Sequence, residues 1–219
     1  VGLAHLFGPY YLTVAIAGLI AAVILPKIPP LSNKEKSYYQ GTKKDIGEKV
    51  PKGYTNTSWG LELAVAKAKQ SLNLKDLILN GATSVLDLWI GVFPVIMAFG
   101  SLALIIVEFT PLFQWLGLPF IPLLKLLRVP YAVEASQTIM VGFADMFLPS
   151  VIAANIPSEM TRFIMAALSV TQLIYLSESG AVMLGTKMDI SLLDLFILFI
   201  ERTLITLPII VFAAHLIFM

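Results

Sequence analysis

Apolar positions in this chain fall into long runs, with little of the two-residue alternation that marks a half-buried strand. Residues 10–25 are almost purely apolar and stop at Pro26-Lys27-Ile28-Pro29-Pro30, where proline removes backbone donors and ends a helix. With residues 3–9 before them they reach the roughly 20 residues that a helix needs to cross hydrocarbon. A polar, Lys-rich stretch follows from 32 to 58, dotted with Gly41, Gly47, Pro51 and Gly53, and predicts a solvated loop. Leu61, Val65, Ala68 and Leu72 then recur at helical spacing, with Glu62, Lys67, Lys69, Gln70 and Lys75 on the other faces, the pattern of a helix lying in the membrane interface.

Beyond it, residues 77–109 make an apolar run longer than a straight crossing needs. Gly81, Asp87, Gly91, Pro94 and Gly100 predict a kinked or tilted helix there. Pro111, Gly117, Pro119, Pro122 and Pro130 break 110–130 into a short hairpin or interfacial segment. Residues 131–156 are apolar but interrupted, 158–176 read as a helix with Ser158 as N-cap and Glu159 in its first turn, and 190–219 form a last long span. The predicted class is all-α: a polytopic transmembrane protein with kinked or discontinuous helices, a half-length hairpin and about four full crossings. Its stretches are a first transmembrane helix (1–30), a cytoplasmic loop (31–57), an amphipathic interfacial helix (58–76) and a transmembrane domain (77–219).

Composition strengthens this reading. Hydrophobic residues are 58% and charged ones 13% of 219, against roughly 45 to 50% apolar in a soluble domain, so the first partner implied is membrane lipid. The net charge of +1 gives no reason to expect nucleic acid. With no cysteine, and with His5 and His215 at opposite ends, neither a metal site nor a cofactor is expected. Lys27, Lys34, Lys36, Lys43, Lys44, Lys49, Lys52, Lys67, Lys69 and Lys75 are ten of the fifteen basic residues, which puts 31–76 on the cytoplasmic side. The chain opens from Val1 straight into apolar sequence without the charged start of a signal peptide, and reads as the continuation of a preceding membrane region.

Ionisable groups at bilayer depth cost about 2.5 to 3.5 kcal/mol each, so each asks for a reason. The densest set lies between Glu134 and Arg162. At 100° per residue Glu134, Thr138 and Asp145 fall near one face beside Gly142, and Pro149 and Pro157 are expected to break the chain after it. Broken helices free backbone groups that can bind ions or polar solutes. The candidate substrate-binding set is Glu134, Gln137, Thr138, Asp145, Asn155, Arg162 and Gln172. Glu159 and Arg162 at i, i+3 can instead pair with each other, whereas nothing in the local sequence neutralises Asp145. Asp194, Glu201, Pro208 and His215 recur at seven-residue steps on one face of the last span, with Arg202 a structural partner for Glu201. No phosphate loop, G-x-S-x-G, H-E-x-x-H or dinucleotide fingerprint occurs. Ser150 or Ser169 with His215 has no spacing to support a hydrolase, so no catalytic residues are expected and the chain is not read as an enzyme.

The run Asp87-Leu-Trp-Ile-Gly-Val-Phe-Pro94-Val-Ile-Met-Ala-Phe-Gly100 resembles the opening of the Gate, or nucleoside-recognition, domain of bacterial membrane proteins. Glu134-Ala-Ser-Gln137-Thr-Ile-Met-Val-Gly142-Phe-Ala-Asp145-Met-Phe-Leu-Pro149 is similar to its central segment. Ser158-Glu-Met-Thr-Arg162-Phe and Leu168-Ser-Val-Thr-Gln172-Leu-Ile-Tyr175-Leu-Ser-Glu178 resemble the YjiH-type subgroup, relatives of the spore maturation proteins A and B. The resemblance covers roughly 58–219. It implies a multi-pass protein of the bacterial inner membrane with a transporter or permease role for a small polar solute. Gate domains also occur in concentrative nucleoside transporters and in ferrous iron transporter B, where such units work in pairs. It therefore also implies a second Gate unit, from a homodimer or a companion membrane protein. A non-transporting scaffold that pairs with such a partner is the alternative.

Overall fold

The computed structural model describes residues 2–34, 50–51, 53–69, 73–185 and 188–218. Lys36, Lys43, Lys44, Lys49, Lys52, Gly41, Gly47, Gln70 and Leu72, part of the expected loop and interfacial helix, lie outside the described residues. Every regular element among the described residues is helical. Two of these helices are long and apolar enough to cross a membrane: Ala4–Lys27, of 24 residues, and Leu192–Phe218, of 27.

Helix α1 (Phe7–Ile24) ends in a 3₁₀ turn, Leu25–Lys27. Of the expected amphipathic helix, the described residues form α2 (Asn56–Lys69) and the start of α3 (Leu74–Asp87). A π-helical turn, Leu88–Val92, joins α3 to α4 (Phe93–Phe109). It falls where Gly91 and the donor-less Pro94 would interrupt an α-helical ladder, so the irregularity expected of this run takes the form of a π turn. The proline-broken stretch is the short pair α5 (Leu112–Gly117) and α6 (Phe120–Leu126). Next come α7 (Ala132–Ile139), a 3₁₀ turn Met140–Phe143, α8 (Leu148–Ala153), α9 (Glu159–Gln172), α10 (Ser179–Gly185) and α11 (Leu192–Phe218).

The core is the packing of α1, α9 and α11. Helix α1 buries only Thr13, Ala17 and Ala21, one small residue per turn, and so lets its neighbours approach closely while its large side chains point outward. Tyr10 packs edge-on against Phe163 and donates a hydrogen bond to the Ala166 carbonyl at 3.0 Å. On α11, Leu195, Phe199, Leu207 and Ile210 are fully buried. The two long helices run antiparallel. Pro9 and Leu12 of α1 lie with Leu216 and Ile217 of α11 along one groove, and at the other end Lys34 reaches Asp194 at 2.7 Å and the Asp189 carbonyl at 2.6 Å. Asp194 also receives the Ser191 backbone N–H at 2.8 Å while Ser191 Oγ receives the Asp194 N–H at 3.1 Å. This capping box starts α11 and is tied by Lys34 to the segment of chain that leaves α1.

Helix α9 runs against α11. Phe163 packs edge-on against Phe218, and Gln172 meets Thr203. Ser158 caps α9 as its sequence predicts, accepting the Thr161 N–H at 3.2 Å. The helix stops at Gln172, four residues short of the expected end, because Leu173 takes a left-handed conformation (φ 56°). Thr203 is the twelfth residue of α11, so α9 ends beside the middle of a helix about 40 Å long. Helix α7 lies parallel to α9: Thr161 donates to the Pro130 carbonyl near their starts, and Gln172 to the Ile139 carbonyl near their ends. Helix α8 then turns back, with Ser150 Oγ 2.8 Å from Ser169 Oγ. The segment from 132 to 153 is therefore a hairpin with its tip at 144–147. The expected break falls at this tip, just before Pro149, and Pro149 itself sits in the first turn of α8, where its missing N–H has no partner to lose.

The hairpin is held close to α5. A Cβ on Gly117 would come 2.1 Å from the backbone oxygen of Ser136. Gly117→Ala is expected to force α5 from α7 and cost about 1–3 kcal/mol, whereas Gly81→Ala, with open space around it, should leave the thermal midpoint in detergent equal or higher. Equal midpoints for both variants would show that α5 and α7 do not make this contact.

Candidate functional site

Two interruptions of helical structure meet at one place: the hairpin tip after Phe143, and the stretch between Leu173 and Glu178 that separates α9 from α10. The Leu176 N–H donates to the Phe143 carbonyl at 2.8 Å, and the Ser177 N–H to the Ala144 carbonyl at 3.0 Å. Each chain thereby supplies part of the hydrogen bonding that the other lost by leaving a helix.

Asp145 occupies the junction. Its Oδ1 accepts the Phe147 N–H at 2.7 Å and the Leu148 N–H at 3.2 Å, at the start of α8, and its Oδ2 accepts the Ser177 hydroxyl at 3.0 Å. The carboxylate, for which the local sequence offered no compensation, is thus met by two backbone donors at a helix start and by a hydroxyl from the opposite break. Asp145 is half-buried, and so is Glu178, the residue that follows its partner Ser177. The tip presents an acidic pair whose free oxygen valences suit a cation or a hydroxyl-rich or amine-bearing solute.

Under this junction lies a dry layer. Gln172, 1% exposed, donates to the Ile139 carbonyl at 3.3 Å and to Thr203 Oγ1 at 3.0 Å. Gly142 makes room for it, since a Cβ there would lie 2.1 Å from Gln172 Oε1. The end of α9 has carbonyls with no partner in their own helix. Tyr175 donates its hydroxyl to those of Ser169 (2.7 Å) and Val170 (2.9 Å), and Arg202 Nε donates to that of Thr171.

The predicted residues separate accordingly. Asp145 sits at the junction and Gln172 just beneath it. Thr138 is buried in the core, donating to the Ala135 carbonyl at 2.8 Å and to Met165 Sδ at 3.2 Å. Glu134 is exposed in the first turn of α7, Gln137 is half-buried one turn on, and Asn155 is exposed after α8. The expected common face of Glu134, Thr138 and Asp145 does not form, because α7 ends at Ile139 and the following 3₁₀ turn rotates Asp145 out of its register. Arg162 completes no site with Asp145. Its Nη1 donates to the Ile156 and Pro157 carbonyls at 3.0 and 3.2 Å, which secures the end of the hairpin. Glu159 pairs with His5 at 3.1 Å rather than with Arg162. His215 Nε2 lies 3.0 Å from the Leu127 carbonyl, away from the Ser150–Ser169 pair. Arg202 turns to Thr171 and not to Glu201. Ser177, Glu178 and Tyr175 are absent from the predicted site set, and Arg202 was expected only as a partner for Glu201; for Ser177 and Glu178 the available signal was three polar residues in succession, Ser177-Glu178-Ser179, in an apolar run.

No protein-family model matches the chain, and no solved structure does. The chain is similar to an uncharacterized protein of Alkalihalophilus pseudofirmus, 53% identical over 218 residues, which is all of this chain and 47% of that protein. The chain thus spans about half the length of the curated relative it matches.

Asp145→Ala removes the cap of α8 and the link to Ser177 together, and is expected to lower stability by about 1 kcal/mol or more. Asp145→Asn retains an oxygen for the two N–H groups and should lose much less. Thermal midpoints of the two variants in detergent test this; equal losses would mean that charge, and not the cap, holds the tip.

Proposed function

We propose that this chain is a multi-pass, Gate-domain-like protein of the bacterial inner membrane that moves a small polar solute, as a transporter or as one half of one. The observation that carries the reading is the meeting of two chain breaks beside the middle of α11, with Asp145 at the junction. In an apolar medium unpaired backbone is tolerated only where it is buried in protein or lines a path for something polar; discontinuous helices hold solutes and coupling ions at their half-helix ends and unwound carbonyls, and here Asp145 adds a carboxylate to such a break.

In this reading α1 and α11 are full crossings and α9, the break and α10 together make a third. The run α3 to α4 makes a fourth, and α7 with α8 dips in and out from one side. The lysines of 31–76 place the Lys34 end of the bundle at the cytoplasm, so the hairpin enters from the opposite face and brings Asp145 to the level where α9 stops. A second Gate-like unit, from a homodimer or a companion membrane protein, completes the path. The scaffold reading rests on a different observation: Thr138, Gln172 and Arg202 are buried and hydrogen-bonded as interhelical contacts, each worth about 0.6 kcal/mol in a membrane.

Thermal stability of the purified protein against nucleosides, nucleobases, dipeptides and amino acids separates the two. A bound solute adds about 2.7 kcal/mol at a hundredfold excess over Kd. The expected result is a shift with one class that Asp145→Asn abolishes while the unliganded midpoint holds. Uptake into reconstituted vesicles that is unchanged in Asp145→Asn would remove Asp145 from the site, and no shift with any class would favour the scaffold.

A further inference from the structure

Helix α11 presents two charged residues in succession that do opposite things. Arg202 is 8% exposed and turned inward to the Thr171 carbonyl. Glu201 projects about 100° away from it, onto the stripe made by Ile197, Leu204 and Pro208 at helical spacing. Ile197 and Leu204 are 38% and 48% exposed, and Phe212 one turn beyond Pro208 is 67% exposed. This stripe is the outward face of the helix. Glu201 is half-buried in it, and its Oε2 is out of reach of solvent with no hydrogen-bond partner. It is the tenth residue of α11, about 14 Å along the helix, well inside a hydrocarbon layer about 30 Å thick.

The charged groups that could compensate a carboxylate here are accounted for. On α11 itself, Asp194 is engaged with Lys34 and Ser191 and Arg202 faces the core. Among the described residues the ion pairs are His5–Glu159 and Lys34–Asp194, and neither involves Glu201. An ionised, unpaired carboxylate in apolar surroundings is far more costly than the neutral acid.

We propose that Glu201 is a proton site set into the apolar outward face of α11: a carboxyl, one of its oxygens covered by protein, that binds a proton there, separate from the Asp145 junction. The inference rests on the placement of α11 in the bilayer and not on any solute. The ligand is the proton itself, taken up by the carboxylate to give the neutral acid and given back to an acceptor that reaches the same face. The stripe around it, Ile197, Leu204, Pro208 and Phe212, excludes water and sets the requirement that exchange occurs only when a polar group or water comes to that face.

Dicyclohexylcarbodiimide dissolves in lipid and reacts with protonated carboxyls, whereas water-soluble carbodiimides reach those open to solvent. The full chain in lipid vesicles is treated with each across a rising pH series, and the modified peptides are read by mass spectrometry. The expected result is an adduct at Glu201 from the lipid-soluble reagent, several-fold above any other carboxyl, declining as pH rises, and absent in Glu201→Gln, which folds with an unchanged or higher thermal midpoint. Absence of the adduct, or labelling that does not change with pH, overturns the proposal. Leu204→Cys on the same stripe tests the premise separately. Reaction of that variant with a water-soluble maleimide would show that α11 is not in the bilayer. A Leu204→Cys thiol that stays unreactive, with no adduct at Glu201, would leave the placement standing and remove the proton site.

Discussion

Backbone hydrogen bonding is the constraint on which this architecture depends. A chain that is 58% hydrophobic can bury its side chains in almost any compact arrangement, but each N–H or C=O left unpaired away from water costs about 1–3 kcal/mol. Helices meet that demand locally and fail to meet it at their ends. The 3₁₀ turn after α7 and the end of α9 fall inside the bundle, and the contacts around them follow from that one fact. Leu176 and Ser177 donate to Phe143 and Ala144; Tyr175 and Arg202 cover the carbonyls of Ser169, Val170 and Thr171; Asp145 takes the first N–H groups of α8. The polar residues of the centre are in this sense compelled by the breaks, and a solute site can arise only from the valences they leave over.

How much was legible in the sequence depends on whether a residue's partners are local or distant along the chain. Runs of apolar residues and the proline clusters located the long helices and the α5–α6 pair, because span length and proline chemistry are local properties. Ser158 could be named as a cap because its partner, Thr161, is three residues away. What could not be read were relations across the chain. Pro149 looked like a breaker, and only the fold-back of the hairpin shows that it begins a helix. Thr138 and Gln172 looked like site residues because they are polar in apolar runs. They are core contacts because Met165, Ile139 and Thr203 happen to face them. Asp145 looked uncompensated since its partners include Ser177, thirty-two residues away, and the left-handed turn at Leu173 that brings Ser177 there has no glycine to announce it.

Glycine serves the site by absence of bulk. Gly142 carries the 3₁₀ turn past Gln172 with no space for a methyl group, as Gly117 carries α5 past Ser136. Both contacts set the height at which the hairpin sits against its neighbours, and so set where Asp145 arrives relative to the end of α9. A buried glutamine bonded to two elements and wedged against a third fixes that height more narrowly than apolar packing does, since hydrogen bonds weaken steeply with misalignment.

Arg202 and Glu201 are neighbours on α11. Both stand at nearly the same depth, yet the helix turns them to different environments, and the outcome differs because of what each one meets. Arg202 is always charged and needs acceptors; the broken end of α9 supplies a carbonyl that would otherwise be unpaired, so the cost of burying the guanidinium and the cost of breaking the helix offset each other. Among the described residues, the buried Oε2 of Glu201 meets no donor. A carboxyl, unlike a guanidinium, can shed its charge by taking a proton, which is the one remaining way for it to be tolerated on an apolar face. Exchanging the two residues would therefore place an acid against the carbonyls of α9 and an unpaired cation in lipid, a worse arrangement on both faces, and the order Glu201-Arg202 is fixed by the break that α9 makes beside it.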